Sequence, residues 1–223
     1  MSSIWKIAGF VKSGVPDRLR KRLKNGYFRL LKIKYRLGGR PERPAETSKA
    51  KSRRIRESFF EQFCNGRGLD IGYGGDLLSE NCTGWDYEHG DAQYLKTIPD
   101  SEFDFVYSSH TLEHVVNPRI ALQNWWRVLK NGGYLILYVP HRDLYEKKKT
   151  LPSRWNTDHK HFFLLDQDDG PDTLGVRPLI RRSLTDHEIV YAKECRDGHT
   201  HTDPEIHSNG EYSIEVVIRK KKG

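Results

Sequence analysis

The sequence predicts a layered α/β fold on a mostly parallel sheet, and three observations carry that prediction. The apolar run Gly68-Leu69-Asp70-Ile71 passes straight into Gly72-Tyr73-Gly74-Gly75, a buried strand feeding a tight loop whose backbone must approach a ligand closely. A second strand pattern, residues 83–87, carries Asp86 near its end, and Gly90-Asp91-Ala92 follows. Two further apolar runs, residues 103–109 and 134–140, flank an amphipathic stretch at residues 117–130. There Ile120, Leu122, Trp125, Trp126, Val128 and Leu129 recur at the spacing of a helix packed on a sheet. Asn131-Gly132-Gly133 predicts the stop of that helix. In an open α/β sheet ligands sit beyond the carboxyl ends of the strands, so the glycine loop and the acids after it mark the candidate site.

The remaining elements fit the same plan. Residues 51–63 (KSRRIRESFFEQF) read as a helix leading into the first strand, with Phe59, Phe60 and Phe63 buried against it. Residues 174–184 read as a helix, and residues 188–195 and 212–220 as strands forming an antiparallel edge. The acidic, turn-rich loop 166–172 either shapes a pocket or covers the sheet.

The chain has 223 residues, 36% hydrophobic content and a mean hydropathy of −0.76. That length suits one α/β domain with an appendage: a basic arm at residues 1–45 and a domain at 46–223. No apolar run approaches the ~18 residues of a membrane span, and the start lacks the apolar core and cleavage site of a signal peptide. Cys64, Cys82 and Cys195 are odd in number and scattered. They read as reduced thiols of a cytoplasmic protein, without disulfide or zinc spacing.

The net charge of +8 is unevenly spread. Residues 1–60 hold 18 Lys and Arg against 4 Asp and Glu, whereas the remainder holds 20 against 26. A body without a basic surface is poorly suited to a nucleic-acid backbone. Within the arm, Leu19, Leu23, Tyr27, Leu30 and Leu31 form one stripe of a helical pattern crowded by Lys and Arg. Gly38-Gly39 ends it, the Pro-rich residues 40–44 form a linker, and a segment with Trp5 precedes it. An apolar stripe flanked by cations fits an anionic membrane surface. Nucleic acid is the rival partner, and packing on its own domain or remaining a solvated tail are the plain alternatives.

The order strand, glycine loop, acid, acid, strand, helix, glycine stop, strand resembles the class I S-adenosylmethionine-dependent methyltransferases. The resemblance runs from about residue 66 to residue 141. It rests on Asp70-Ile71-Gly72-Tyr73-Gly74-Gly75, Gly90-Asp91-Ala92, Ser108-Ser109-His110-Thr111-Leu112-Glu113-His114 and Arg127-Val128-Leu129-Lys130-Asn131-Gly132-Gly133. It implies a Rossmann-like, mostly parallel seven-stranded sheet, antiparallel at the last strand, with helices on both faces. It also implies S-adenosylmethionine as cofactor. Asp70 is then placed for the ammonium of the methionine part, and Gly72, Tyr73, Gly74 and Gly75 for close backbone approach. Asp86 is placed for the ribose hydroxyls, with Glu88 as the alternative, and Trp85 or Tyr87 for an adenine face. Asp91 and Ala92 are placed for the adenine edge, and Ser108 and His110 where the methyl donor points. Two departures stand out: the third glycine is displaced to Gly75, and Asp86 and Asp91 are almost adjacent. The second predicts that a helix–strand unit has been lost or shrunk. A dehydrogenase is disfavoured because no second nucleotide-binding half follows.

For the methyl acceptor two groups compete. One is His110, Glu113 and His114 after the fourth strand of the expected sheet; the other is His141, followed by Asp158, His159 and His161. His and Asp side chains at a sheet's carboxyl edge suit general-base deprotonation of a hydroxyl or a divalent metal, and spacing leaves both open. His199, His201 and His207 read as a solvated loop. The stretches His141-Arg142-Asp143-Leu144-Tyr145-Glu146 and Asp158-His159-Lys160-His161-Phe162 are similar to enzymes of surface-glycan pathways. That implies O-methylation of a sugar hydroxyl in a glycan or its lipid-linked precursor, by a cytoplasmic enzyme peripheral on the inner membrane face. RNA, a small metabolite or a protein is the alternative acceptor, and a non-catalytic cofactor-binding scaffold is the alternative role.

Overall fold

The computed structural model describes residues 46–221. The arm of residues 1–45, with its expected helix, linker and partners, lies outside the described residues. The helices are α1 (Glu46–Lys49), α2 (Lys51–Arg56), α3 (Phe59–Phe63), α4 (Pro118–Val128) and α5 (Val176–Ser183). The strands are β1 (Gly68–Ile71), β2 (Cys82–Trp85), β3 (Phe103–Ser109), β4 (Leu129–Pro140), β5 (Phe162–Leu164), β6 (Thr173–Gly175), β7 (His187–Cys195) and β8 (Ser213–Lys220). Single turns of tighter and wider helix cover Leu112–His114 and Arg142–Glu146.

The main sheet has the order β2-β1-β3-β4-β8-β7, while β5 and β6 pair separately. β1, β2, β3 and β4 are parallel, and β8 runs antiparallel to both β4 and β7. The last strand is therefore the antiparallel one, as expected, but it lies inside the sheet, and β7 at the edge runs with the others. Among the described residues the sheet has six strands, the shortened form of the seven-stranded plan. The stretch between β2 and β3, residues 86–102, holds only turns, so the helix–strand unit between the two acids is gone. The crossover from β1 to β2, residues 72–81, also lacks a helix. α1–α3 take up that face instead: Ala50, Phe59, Phe63 and Cys64 pack with Leu78, Cys82, Phe105, Tyr107, Ile136, Tyr138 and Val217. The opposite face is covered by α4 and α5, with Leu122, Trp125, Leu179 and Ile180 against Leu69, Ile71, Val106, Leu135 and Leu137. Strands buried on both faces explain the near-continuous apolar runs of β1 and β3.

Four boundaries differ from expectation for local reasons. The helix expected over residues 51–63 breaks at Ser58, whose φ of 50° is left-handed, and Phe60 ends half-buried. α4 starts where the side chain of Asn117 accepts the Ile120 N–H, but it ends at Val128. Leu129 already pairs with Phe103, and Gly132 (φ +84°) and Gly133 form a bulge before Tyr134 pairs with Phe105. A Cβ on Gly133 would stand 2.4 Å from the Asp104 carbonyl, so these glycines serve the sheet and not the helix stop. Residues 173–175 form β6 before α5 begins. The acidic loop is a clamp: Asp168 accepts the Gly175 N–H and pairs with Arg182, while Asp169 pairs with Arg142.

A buried charge network ties α2 to β8. Arg53 pairs with Glu211 at 2.9 Å and Glu215 at 2.8 Å, and Arg54 with Glu215 at 2.6 Å. All four side chains are almost wholly buried. The Tyr107 and Tyr138 hydroxyls join it through Arg54 and Glu211. These two arginines belong to the domain's interior, although their sequence position groups them with the basic N-terminal stretch. All three cysteines are free and buried.

Candidate active site

The carboxyl ends of β1, β2 and β3 gather the expected cofactor residues. The Gly72 N–H donates to the Trp85 carbonyl at 2.8 Å, binding the glycine loop to β2. Thr111 Oγ1 reaches the Ile71 and Ser109 carbonyls at 3.1 and 3.0 Å, binding it to β3. A Cβ on Gly72 (φ +76°) would lie 1.9 Å from that hydroxyl, so glycine is required there. Gly74 and Gly75 also have positive φ, but a Cβ on Gly75 would meet nothing within 4 Å and one on Gly74 only the Gly72 carbonyl at 3.9 Å. That open space is where a ligand can come up to the backbone. Tyr73 packs across Gly84 of β2.

Asp70 is wholly buried; Oδ2 accepts the Leu78 N–H at 2.8 Å, and Oδ1 has no partner. Burial pushes its carboxyl up to about 7. An orphaned buried oxygen at the glycine loop fits the ammonium of an amino-acid ligand. Asp86, at the tip of β2, accepts the Tyr87 N–H at 2.7 Å. Burial raises its pKa against that bond. Asp91 accepts the Gln93 N–H at 2.8 Å and so forms the turn that ends the shortened crossover. The Ala92 carbonyl accepts the Trp125 indole N–H at 2.8 Å. Of the two candidate aromatics, Trp85 lies in the core, while Tyr87 is 45% exposed. Partial burial, then the carboxylates of Asp158, Asp86 and Asp91, push the Tyr87 hydroxyl up to about 12. Ser108 Oγ is buried without a partner.

The two acceptor groups divide differently from the sequence expectation. His110 (φ +45°) leaves β3 with Nε2 2.9 Å from Ser213 Oγ and with its ring against Tyr138, Tyr145 and Tyr212. Burial brings its imidazole down to about 4. Glu113 is wholly buried, and neither carboxyl oxygen has a hydrogen-bond partner. Burial pushes it up to about 7. Around its Oε1 stand His110 Nδ1 at 3.8 Å, His114 Nε2 at 3.8 Å and His159 Nε2 at 3.9 Å. The segment carrying His159 is held there by the Lys160 N–H, which donates to the Glu113 carbonyl at 2.7 Å. His159 Nδ1 lies 2.6 Å from Glu146, and His114 Nδ1 lies 3.2 Å from Asp158.

His141 and His161 do not join this cluster. His141 Nδ1 accepts the Asp143 N–H as a cap, and Nε2 pairs with Glu194 at 3.0 Å. With both nitrogens engaged, its position is that of a structural histidine. Burial, opposed by Glu194, lowers its pKa. His161 Nε2 lies 3.4 Å from the Val116 carbonyl. Sequence reading missed Glu46, Glu146, Tyr145, Tyr212 and Ser213. Glu46 lies in α1 and reaches His110 at 3.8 Å, a contact that no local pattern announces. Glu146 closes the wide turn that His141 opens, and it alone had a nearby signal.

Residues 55–137 match the model of a methyltransferase domain family. No curated protein matches the chain. Among solved structures, a methyltransferase from Thermotoga maritima described as a possible histamine N-methyltransferase is 19% identical, with a TM-score of 0.48. That alignment covers 90% of this chain and 98% of that one. An S-adenosylmethionine-dependent methyltransferase from Archaeoglobus fulgidus is 17% identical, covering 87% and 100%, with a TM-score of 0.46. One from Aquifex aeolicus is 15% identical, covering 78% and 98%, with a TM-score of 0.42. The domain match and the sheet order together give the described residues the fold of a class I S-adenosylmethionine-dependent methyltransferase, and S-adenosylmethionine is the cofactor that such a domain takes.

Proposed function

We propose that the protein is a methyltransferase that transfers the methyl group of S-adenosylmethionine to a hydroxyl oxygen of a sugar in a surface glycan or its lipid-linked precursor. The observation that carries the reading is the buried, partnerless Glu113 among three imidazole nitrogens, at the same sheet edge as the glycine loop. A hydroxyl needs to lose its proton to be nucleophilic, and titratable groups held near neutrality are the ones suited to that task. When bound, the cofactor supplies an electrophilic methyl group. Asp70 and the glycine loop would hold its amino-acid end, Asp86 its ribose and Tyr87 an adenine face. The cluster at Glu113 receives the acceptor, excludes water from it and accepts its proton. Tyr145 and Tyr212 pack around the cluster and enclose His110 and His159.

The basic stretch of residues 1–45 supports placement on an anionic membrane surface, and so a lipid-linked acceptor. Among the described residues no helix is long and apolar enough to cross a membrane. The test is methyl transfer from labelled S-adenosylmethionine to free and lipid-linked sugars, RNA, small amines and protein. The expected product is an alkali-stable methyl ether on a sugar, lost in Glu113→Gln with cofactor binding intact. Transfer only to another acceptor would overturn the sugar assignment. Cofactor binding with no transfer to any acceptor would favour a scaffold.

A further inference from the structure

We propose that Glu113, His114 and His159 form a binding site for one divalent transition-metal ion. One ligand atom from each lies within 4.8 Å of the other two. Three independent features of the site argue for it.

The first is the state of Glu113. Its carboxylate is wholly buried, yet it accepts no hydrogen bond. At 3.8 to 3.9 Å the neighbouring nitrogens are too far to donate to it. Burying an acid without a partner costs free energy, and a cation between these atoms removes that cost. The second is the orientation of the imidazoles. Nδ1–H of His159 donates to Glu146, and Nδ1–H of His114 donates to Asp158. Both rings are thereby oriented with Nε2 facing Glu113. A carboxylate behind each metal-bound histidine is the arrangement that sets its tautomer and raises its basicity. Glu146 is itself fixed by the Ser153 hydroxyl at 2.6 Å, and the Tyr145 ring stacks on His159 with centroids 5.6 Å apart. The third is scale. Metal–ligand bonds of about 2.0–2.2 Å put tetrahedral ligand atoms about 3.4 Å apart. The two imidazole nitrogens stand about half an ångström beyond that distance from Glu113, and the widest spacing of the three, up to 4.8 Å, has to close by up to about 1.4 Å.

Two imidazoles and one carboxylate suit manganese, iron, cobalt or zinc better than calcium or magnesium. They also leave coordination positions open for a substrate oxygen. His110 Nδ1, 3.8 Å from Glu113 Oε1, stands beside the site as a further donor. An ion here would lower the pKa of a bound hydroxyl. That link to catalysis rests on the methyltransferase reading above, whereas the binding site does not.

The test uses untagged full-length protein, stripped with chelator and titrated with Co²⁺, Zn²⁺ and Mn²⁺ by calorimetry, and with Co²⁺ by visible absorption. One equivalent should bind at micromolar or lower dissociation constant, with cobalt d–d bands. Glu113→Gln and His159→Ala should abolish binding. Glu146→Gln, which alters no ligand, should weaken it about 10–100-fold. His201→Ala, in the C-terminal loop, should bind like wild type. Each variant's folding is checked by its unfolding transition. Absence of binding by folded wild type, or equal binding by folded Glu113→Gln, would overturn the site. S-adenosylmethionine titrations on the same samples separate the two readings: metal binding without cofactor binding keeps the site and removes the methyltransferase proposal.

Discussion

Glu215 and Glu113 are both wholly buried carboxylates, yet their surroundings are opposite. Glu215 receives Arg53 at 2.8 Å and Arg54 at 2.6 Å, with the Tyr191 hydroxyl as a further donor. Burial opposes its ionisation, and the Arg54 and Arg53 guanidinium groups overcome that, bringing its carboxyl down to about 2. Glu113 has imidazoles near it but none in bonding range, and burial pushes it up to about 7. The first region spends its charges on holding α2 to β8. The second leaves a charge-bearing group unsatisfied, which stability alone does not favour. The contrast separates a structural network from a site shaped for something that binds.

The largest effect expected from this comparison is on the network. Arg54→Met leaves Glu215 short of a partner at zero exposure, and should cost about 3–5 kcal/mol in urea unfolding. Replacing both members, Arg54→Met with Glu215→Leu, should recover part of that loss; a double variant no better than the single would break the account. The same network predicts acid sensitivity. Because the folded pKa of Glu215 is depressed, its contribution is fully present above the ordinary carboxylate value of 4.5. It drains away as pH falls from there towards 2. Stability measured across that window should fall in wild type, and fall less in Glu215→Gln.

Gly72→Ala comes next, at about 2–3 kcal/mol, since it combines a positive φ with a Cβ 1.9 Å from Thr111 Oγ1. Adding Thr111→Ala should relieve the clash and leave about 1 kcal/mol of backbone strain. Asn117→Ala removes the cap that accepts the Ile120 N–H and should cost about 1 kcal/mol, equally with or without ligand. The smallest change in stability is expected at the second carboxylate. Glu113→Gln should stay within about 1 kcal/mol of wild type or be more stable, because no hydrogen bond to its carboxylate is lost. A loss as large as that of Arg54→Met would show that Glu113 is paired in solution, and would end the comparison.

Much of the fold was legible because it depends on local pattern. Gly68–Ile71, Phe103–Ser109 and the helix opened by Asn117 came from apolar spacing. The missing strand was visible as a short interval between Asp86 and Asp91. The glycines at 132 and 133 were misread, since a helix stop and a strand bulge use the same residues and only the partner strand tells them apart. The site was half legible. Gly72, Gly74, Gly75, Asp70 and Asp86 follow the strand ends in order along the chain, so sequence located them.

What the sequence determined by itself was the strands of the main sheet, its two long helices, the glycine loop and the supply of histidines and acids after β3 and β4. Tertiary structure alone decided which of those histidines meet. His159 reaches Glu113 and His141 does not, because Lys160 is bonded across to β3's exit while His141 is consumed as a cap and by Glu194. It alone assigned Arg53 and Arg54 to the interior, by placing Glu211 and Glu215 opposite them. Periodicity records which side of an element faces the core, but a charge's role depends on what stands within about 4 Å of it, and for these residues that neighbour lies many residues away along the chain.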